Sequence, residues 1–148
     1  MKVIIQRSKN SCVLVNNNVV GSIDNGFVIL VGFNINDTID DINYIVNKIM
    51  KLRVFDDENG IMNLSIKDVD GSILSISQFT LYANTKEGNR PSYSYAMKSK
   101  EAEYLYDKFN ELLKKENIKV STGIFGENME VTIRNDGPVT IIIDSKEK

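Results

Sequence analysis

The chain has no histidine and a single cysteine, Cys12, among its 148 residues. The first absence removes Ser-His-Asp and Cys-His catalytic sets, imidazole general bases and histidine-ligated zinc. The second removes any intrachain disulfide and any cysteine cage for a metal. Cys12 lies in the apolar run Cys12-Val13-Leu14-Val15 and reads as a small buried hydrophobe, with no imidazole to stabilise a thiolate. Carboxylates, lysines, the backbone or the substrate itself must carry any catalysis. Neither a metal nor a cofactor is expected.

Long apolar runs are also missing. No window approaches the roughly 18 uninterrupted apolar residues of a membrane-spanning helix. Residues 1–7 alternate apolar and polar and lack the three-part pattern of a signal peptide. A cytoplasmic location with no membrane partner is the expectation. An excess of positive charge is absent as well, since the net charge is −2 and the pI is about 5.2. Broad gripping of nucleic-acid phosphates needs a basic face. DNA is therefore not expected as a partner, and a nucleic-acid substrate would be held mainly at one end.

What is present suits an ordinary globular protein, 42% hydrophobic and 26% charged, with one domain expected over residues 1–148. Residues 2–7 and 11–15 read as short strands with a turn at Ser8-Lys9-Asn10. After a turn at Asn16-Asn17-Asn18, residues 19–23 form a further strand. Asp24-Asn25-Gly26 leads into residues 27–33, a strand apolar on both faces. A helix starts near Asp37 or Thr38 and runs to about Arg53, with Ile39, Ile42, Val46, Ile49 and Met50 on one face. Asp56-Asp57-Glu58-Asn59-Gly60 is a solvated turn without the spacing of a calcium loop. Residues 73–81 read as a strand and residues 84–91 as a polar loop. A second helix is capped by Ser99, with Ala102, Leu105, Phe109, Leu112 and Leu113 inward and Tyr104 and Tyr106 off the centre of that stripe. Strands at 129–134 and 139–143 close the chain. The fold class expected is α+β, a mostly antiparallel sheet with two main helices.

Two segments could carry chemistry. Ser77-Gln78-Phe79-Thr80-Leu81 ends a hydrophobic strand, and alternation puts Ser77, Phe79 and Leu81 on one face and Gln78 and Thr80 on the other. Taken alone it is a strand with one polar face. Asn135-Asp136-Gly137-Pro138-Val139-Thr140 reads, on composition, as a turn between strands. A Gly-Pro pair can nevertheless present bare carbonyl oxygens, with no Cβ and no proline N–H, and an X-Pro bond can be cis at modest cost.

In order, these two segments resemble the paired signatures of the D-aminoacyl-tRNA deacylases. Lys2-Val3-Ile4-Ile5-Gln6-Arg7, Ala83-Asn84-Thr85-Lys86, Gly88-Asn89-Arg90-Pro91-Ser92 and Thr122-Gly123-Ile124-Phe125-Gly126 extend the resemblance over nearly the whole chain. Tyr93 departs from it, since many members have phenylalanine after Arg-Pro-Ser.

The resemblance implies a homodimer of barrel-like subunits with active sites at their interface. It implies hydrolysis of the ester of D-aminoacyl-tRNA, and of glycyl-tRNA mischarged on tRNA(Ala), as a chiral proofreading step in translation. Ser77, Gln78, Phe79 and Thr80 would form the catalytic segment, acting on the aminoacyl-tRNA acceptor end with help from the tRNA 2′-hydroxyl. Gly137 and Pro138 of the other subunit, joined by a cis peptide, would reject L-aminoacyl groups. Arg7 would hold that pair in place, and Met129 and Phe125 would lie near the pocket. Lys86, Arg90 and Lys98 could steer phosphates. A non-catalytic RNA-end or protein-binding module, or a different small-ester hydrolase, are the competing classes.

Overall fold

The computed structural model describes residues 1–147. The chain opens with two long strands, β1 (Lys2–Val15) and β2 (Asn18–Gly32), paired antiparallel as a hairpin. Asn16 and Asn17 form its two-residue turn, both at positive φ (49° and 64°). Asparagine tolerates that conformation, which matches the twist of the flanking strands. The breaks expected at Ser8-Lys9-Asn10 and Asp24-Asn25-Gly26 do not occur. The two polar triplets lie opposite each other, with Ser8 against Gly26 and Lys9 against Asn25, so cross-strand pairing carries both strands through them.

After helix α1 (Ile39–Lys51) come the short strands β3 (Phe55–Asp56) and β4 (Met62–Leu64), which pair with each other, and then β5 (Ser72–Ser77). A 3-10 turn (Phe79–Tyr82), helix α2 (Ser99–Lys115), and strands β6 (Lys119–Thr122), β7 (Glu130–Thr132) and β8 (Asn135–Asp144) complete the order. The main sheet runs β6-β5-β2-β1, with β7 and β8 both on the remaining edge of β1. The β2/β5 and β5/β6 pairs are parallel, because each return to the sheet crosses over through a helix. The sheet is therefore mixed, with the antiparallel pairs of β1 in the majority as expected, but it does not close into a barrel, which corrects the expected barrel-like arrangement.

Thr38 precedes α1, and Asp41 reaches back to accept the Thr38 N–H at 2.9 Å, satisfying an amide the helix leaves unpaired. Ser99 is not the cap of α2. Lys98 occupies that position and supplies no side-chain bond. Alternation divides the sheet into two apolar faces. Val3, Ile5, Phe27, Ile29 and Ile73 pack under both helices against Ile45, Ile49, Phe109 and Leu113. Val13, Ile23, Val28, Leu74 and Ile76 form a second cluster with Met129, Val131 and Ile133. One inward assignment differs, since Ile39 is exposed; Tyr106, beside the centre of the α2 stripe, is buried and donates to the Ser75 carbonyl at 2.7 Å. That bond lets a tyrosine enter the core with its hydroxyl satisfied. Cys12 is half-buried rather than buried.

Candidate active site

The carboxyl ends of parallel strands β2 and β5 lie side by side, with Val31 opposite Ser77. One more bond, from the Gln78 N–H to the Val31 carbonyl at 2.7 Å, holds the end of β5 against β2. The chain then leaves the strand and winds into the 3-10 turn, so the alternation expected through Leu81 stops at Ser77. Gly32 allows the turn to pack there. A Cβ at that position would sit 2.9 Å from the Gln78 oxygen and 3.1 Å from Leu81 Cβ. Nothing in the sequence marks Gly32, whose requirement appears only when the two strands are brought together.

A helical start leaves its first amides without intrahelical acceptors. Accordingly, the Phe79 and Thr80 N–H groups have no hydrogen-bond acceptor among the described residues. The Gln78 side-chain amide donates to the Thr80 hydroxyl oxygen.

Beside this turn lies a cavity of about 530 Å³ whose wall includes Ser77, Gln78, Phe79, Phe125 and Met129. Five of the nine expected site residues are thus brought together from two separate stretches of chain, residues 77–79 and 125–129. Phe33, Met97 and Ala102 complete much of the apolar wall and carried no signal in the sequence beyond hydrophobicity. Phe125 is backed by Tyr106, with ring centroids 5.8 Å apart. Burial pushes the Tyr106 hydroxyl above the usual phenol range, against the opposing effect of its bonds to Ser75 and Asn110. It stays a neutral donor that fixes the wall. Glu127, exposed, is the one ionisable side chain lining the cavity.

Thr80 adjoins the cavity without lining it, and Gly137, Pro138 and Arg7 lie outside its wall. The Gly-Pro pair is not a turn between strands. It lies within β8, which pairs with β1 on both sides of it: Ser8 faces Asn135 and Gln6 faces Thr140. Between those pairs β1 has one residue, Arg7, and β8 has four, residues 136–139. The surplus residues form a bulge on which Gly137 and Pro138 are exposed. The Gly137–Pro138 peptide is cis and Gly137 has φ +126°.

Arg7, only 8% exposed, holds the bulge. Its Nε donates to the Asp136 carbonyl at 3.1 Å, and its Nη1 to the Val54 carbonyl at 2.8 Å and the Asp56 carboxylate at 3.2 Å. From within the bulge, the Asn135 side chain accepts the Val139 N–H at 3.1 Å and donates to Thr140 Oγ1 at 2.9 Å. A guanidinium with several fixed acceptors orients backbone in a way a flexible ammonium does not.

The family model described as D-Tyr-tRNA(Tyr) deacylase matches residues 4–144. A D-aminoacyl-tRNA deacylase of Geobacillus sp. (strain WCH70) is 52% identical over 148 residues, covering 100% of this chain and 97% of that one. One of Clostridium perfringens (strain SM101 / Type A) is 51% identical over 146 residues, covering 99% and 98%. A solved structure described as c-Myc DNA unwinding element binding protein superposes with a TM-score of 0.91 at 38% identity, covering 97% of this chain and 98% of that one. A probable eukaryotic D-amino acid tRNA deacylase shares the fold, with a TM-score of 0.81 at 18% identity over 96% and 97% of the two chains. The chain belongs to the D-aminoacyl-tRNA deacylase family, hydrolases that cleave the ester bond of aminoacyl-tRNA.

Proposed function

We propose that this enzyme proofreads chirality at a composite site, in which the cavity of one subunit of a homodimer is completed by the Gly137–Pro138 bulge of the other. The observation carrying this reading is the separation of the two signature segments. Ser77, Gln78 and Phe79 line the cavity, while the exposed Gly137–Pro138 bulge lies outside it.

In this reading the aminoacylated terminal adenosine enters the cavity between Phe125, Met129 and the 3-10 turn. The free Phe79 and Thr80 N–H groups polarise the ester carbonyl, and each such donor contributes about 3 kcal/mol to the transition state. Water adds to the carbonyl carbon, the bond to the ribose oxygen breaks, and D-amino acid and tRNA leave. The substrate's own 2′-hydroxyl assists, which suits a wall whose single ionisable group is the exposed Glu127. The partner's bulge presents main-chain carbonyls to the α-carbon, so an L side chain collides with them while a D side chain points away. Such exclusion cannot reject glycine, and glycyl-tRNA mischarged on tRNA(Ala) is therefore also a substrate. Binding to a DNA unwinding element, the role named for one of the similar solved structures, is disfavoured here by the net charge of −2.

Co-expression of two inactive variants tests the composite site. Gly137→Ala damages the bulge and Phe79→Ala the cavity. A mixed dimer regains one intact site, so D-aminoacyl-tRNA hydrolysis returns in the mixture. If it stays at the level of either variant alone, the site is built within one chain and the reading fails.

A further inference from the structure

Phe79 stands on the cavity wall with 56% of its surface exposed, and its ring meets that of Tyr93 edge-on, centroids 4.9 Å apart and planes at 67°. Tyr93 is itself 40% exposed and does not line the cavity. The two rings therefore extend the aromatic wall outward past the rim. The segment carrying Tyr93 is fixed in place. Asn84 and Ser92 exchange backbone bonds of 2.8 and 2.9 Å, and the Tyr93 carbonyl accepts the Ala96 N–H at 3.0 Å. The Tyr93 hydroxyl has no hydrogen-bond partner among the described residues. A tyrosine held for packing buries its ring, whereas this one keeps ring and hydroxyl partly toward solvent.

Charge on the same stretch agrees. Lys86 and Arg90, on the loop before Tyr93, and Lys98, just before α2, are exposed and paired with no carboxylate among the described residues. Exposed rings with unpaired cations on the same stretch of chain are elements by which proteins hold single-stranded nucleic acid: rings take base faces and cations take the phosphates. An acidic chain that grips one end of its substrate has use for such a local platform.

We propose that Tyr93, with Phe79, stacks the nucleotide that precedes the terminal adenosine as the acceptor strand leaves the cavity. The proposal rests on the reading that the cavity holds the aminoacylated adenosine. Stacking on one side chain strengthens binding by about tenfold, and every base has a face to stack, so no particular base is required.

Two non-hydrolysable amide analogues test it by equilibrium binding: 3′-D-tyrosylamido-adenosine alone, and the same nucleoside preceded by two cytidines. For Tyr93→Ala, affinity for the trinucleotide falls by about tenfold while that for the single nucleoside changes by less than about twofold. Tyr93→Phe, which keeps the ring, binds both analogues as the unaltered enzyme does. Equal losses on both analogues would make Tyr93 a support for Phe79 and overturn the platform. So would undiminished trinucleotide binding by Tyr93→Ala, or a loss that follows a change in sedimentation coefficient. An unaltered enzyme that binds neither analogue overturns the cavity assignment, and this proposal with it.

Discussion

The Arg7 guanidinium donates to the Asp136 main-chain carbonyl at 3.1 Å, at the point where one residue of β1 faces four of β8. The same group ties down the Val54 carbonyl, so one side chain fixes the bulge to the start of the β3-β4 unit. Arg7→Lys retains the charge and loses the fork. Leaving a buried acceptor unpaired costs about 1–3 kcal/mol, and Tm falls by roughly 2–4 °C for each kcal/mol in a chain of this size. The larger effect is expected on discrimination, with the ratio of D- to L-aminoacyl-tRNA hydrolysis dropping by about tenfold. A ratio that is unchanged while Tm falls would confine Arg7 to a structural role.

Gly137 is the position in the bulge least able to carry a side chain. Its φ of +126° is open mainly to glycine, and an added Cβ would lie 2.8 Å from Val139 Cγ2 and 3.1 Å from Arg7 Nη2. Gly137→Ala costs about 1–3 kcal/mol in strain, which the chain relieves by moving the bulge. Turnover of D-aminoacyl-tRNA falls by at least about tenfold while the far-ultraviolet circular dichroism spectrum stays the same. Full activity and full D-over-L preference in this variant would remove the bulge from the mechanism.

The Thr80 hydroxyl receives a hydrogen bond from the Gln78 side-chain amide. An amide is no base, so the side chain that bonds this hydroxyl among the described residues cannot take the proton that a threonine nucleophile must lose. Thr80→Ala is expected to keep more than about a tenth of the rate, with no burst of acyl-enzyme. Glu127→Gln, which removes the one ionisable group on the cavity wall, leaves the rate within about threefold. A terminal 2′-deoxyadenosine on the substrate, in contrast, slows hydrolysis sharply. Abolition of turnover by Thr80→Ala together with indifference to the 2′-deoxy substitution would reverse the assignment.

Local patterns in the sequence identified both helices, the Asn16-Asn17 turn and most strand cores, since those depend on periodicity and conformational preference close along the chain. What it hid depends on pairing between distant segments. Ser8-Lys9-Asn10 and Asp24-Asn25-Gly26 each read as a break, yet they pair with each other. Residues 135–138 read as a turn because glycine and proline usually make one, whereas β1 holds both flanks and turns the excess into a bulge. The parallel pairing of β5 with β2 and β6 follows from crossovers through the helices, which composition does not reveal. Family resemblance singled out Ser77, Gln78, Phe79, Phe125 and Met129, and these line one cavity. Gly32 and Phe33 were not singled out, because a glycine in a strand and a phenylalanine beside it acquire their role only from the turn packed against them.

Chelators are expected to leave the rate unchanged. The chain has no histidine, and Cys12 lies within β1 opposite Ser22 and Thr132. Among the described residues, no three acidic or cysteine side chains are grouped as ligands. Inactivation by EDTA that one specific divalent ion reverses would contradict this.

Acid should weaken the fold through Asp41, at the junction of α1 and the end of the chain. Its carboxylate accepts the Ser145 hydroxyl at 2.7 Å, the Lys146 ammonium at 2.8 Å and the Thr38 N–H at 2.9 Å. Burial alone would raise its pKa, but the bonds from Lys146, Ser145 and Thr38 outweigh it and hold the carboxyl well below the usual range. A carboxyl depressed in the folded state binds fewer protons there than in the unfolded chain. The stability it supplies is therefore complete above the ordinary value of 3.8 and is lost as pH falls toward the folded-state pKa. Asp41→Ala removes all three bonds and is expected to cost about 2 kcal/mol at neutral pH. Urea unfolding of both proteins from pH 7 down to about 2 should show that gap constant to near pH 4 and then shrinking. A gap that stays constant or widens in acid would mean that Asp41 acts through packing rather than through its charge.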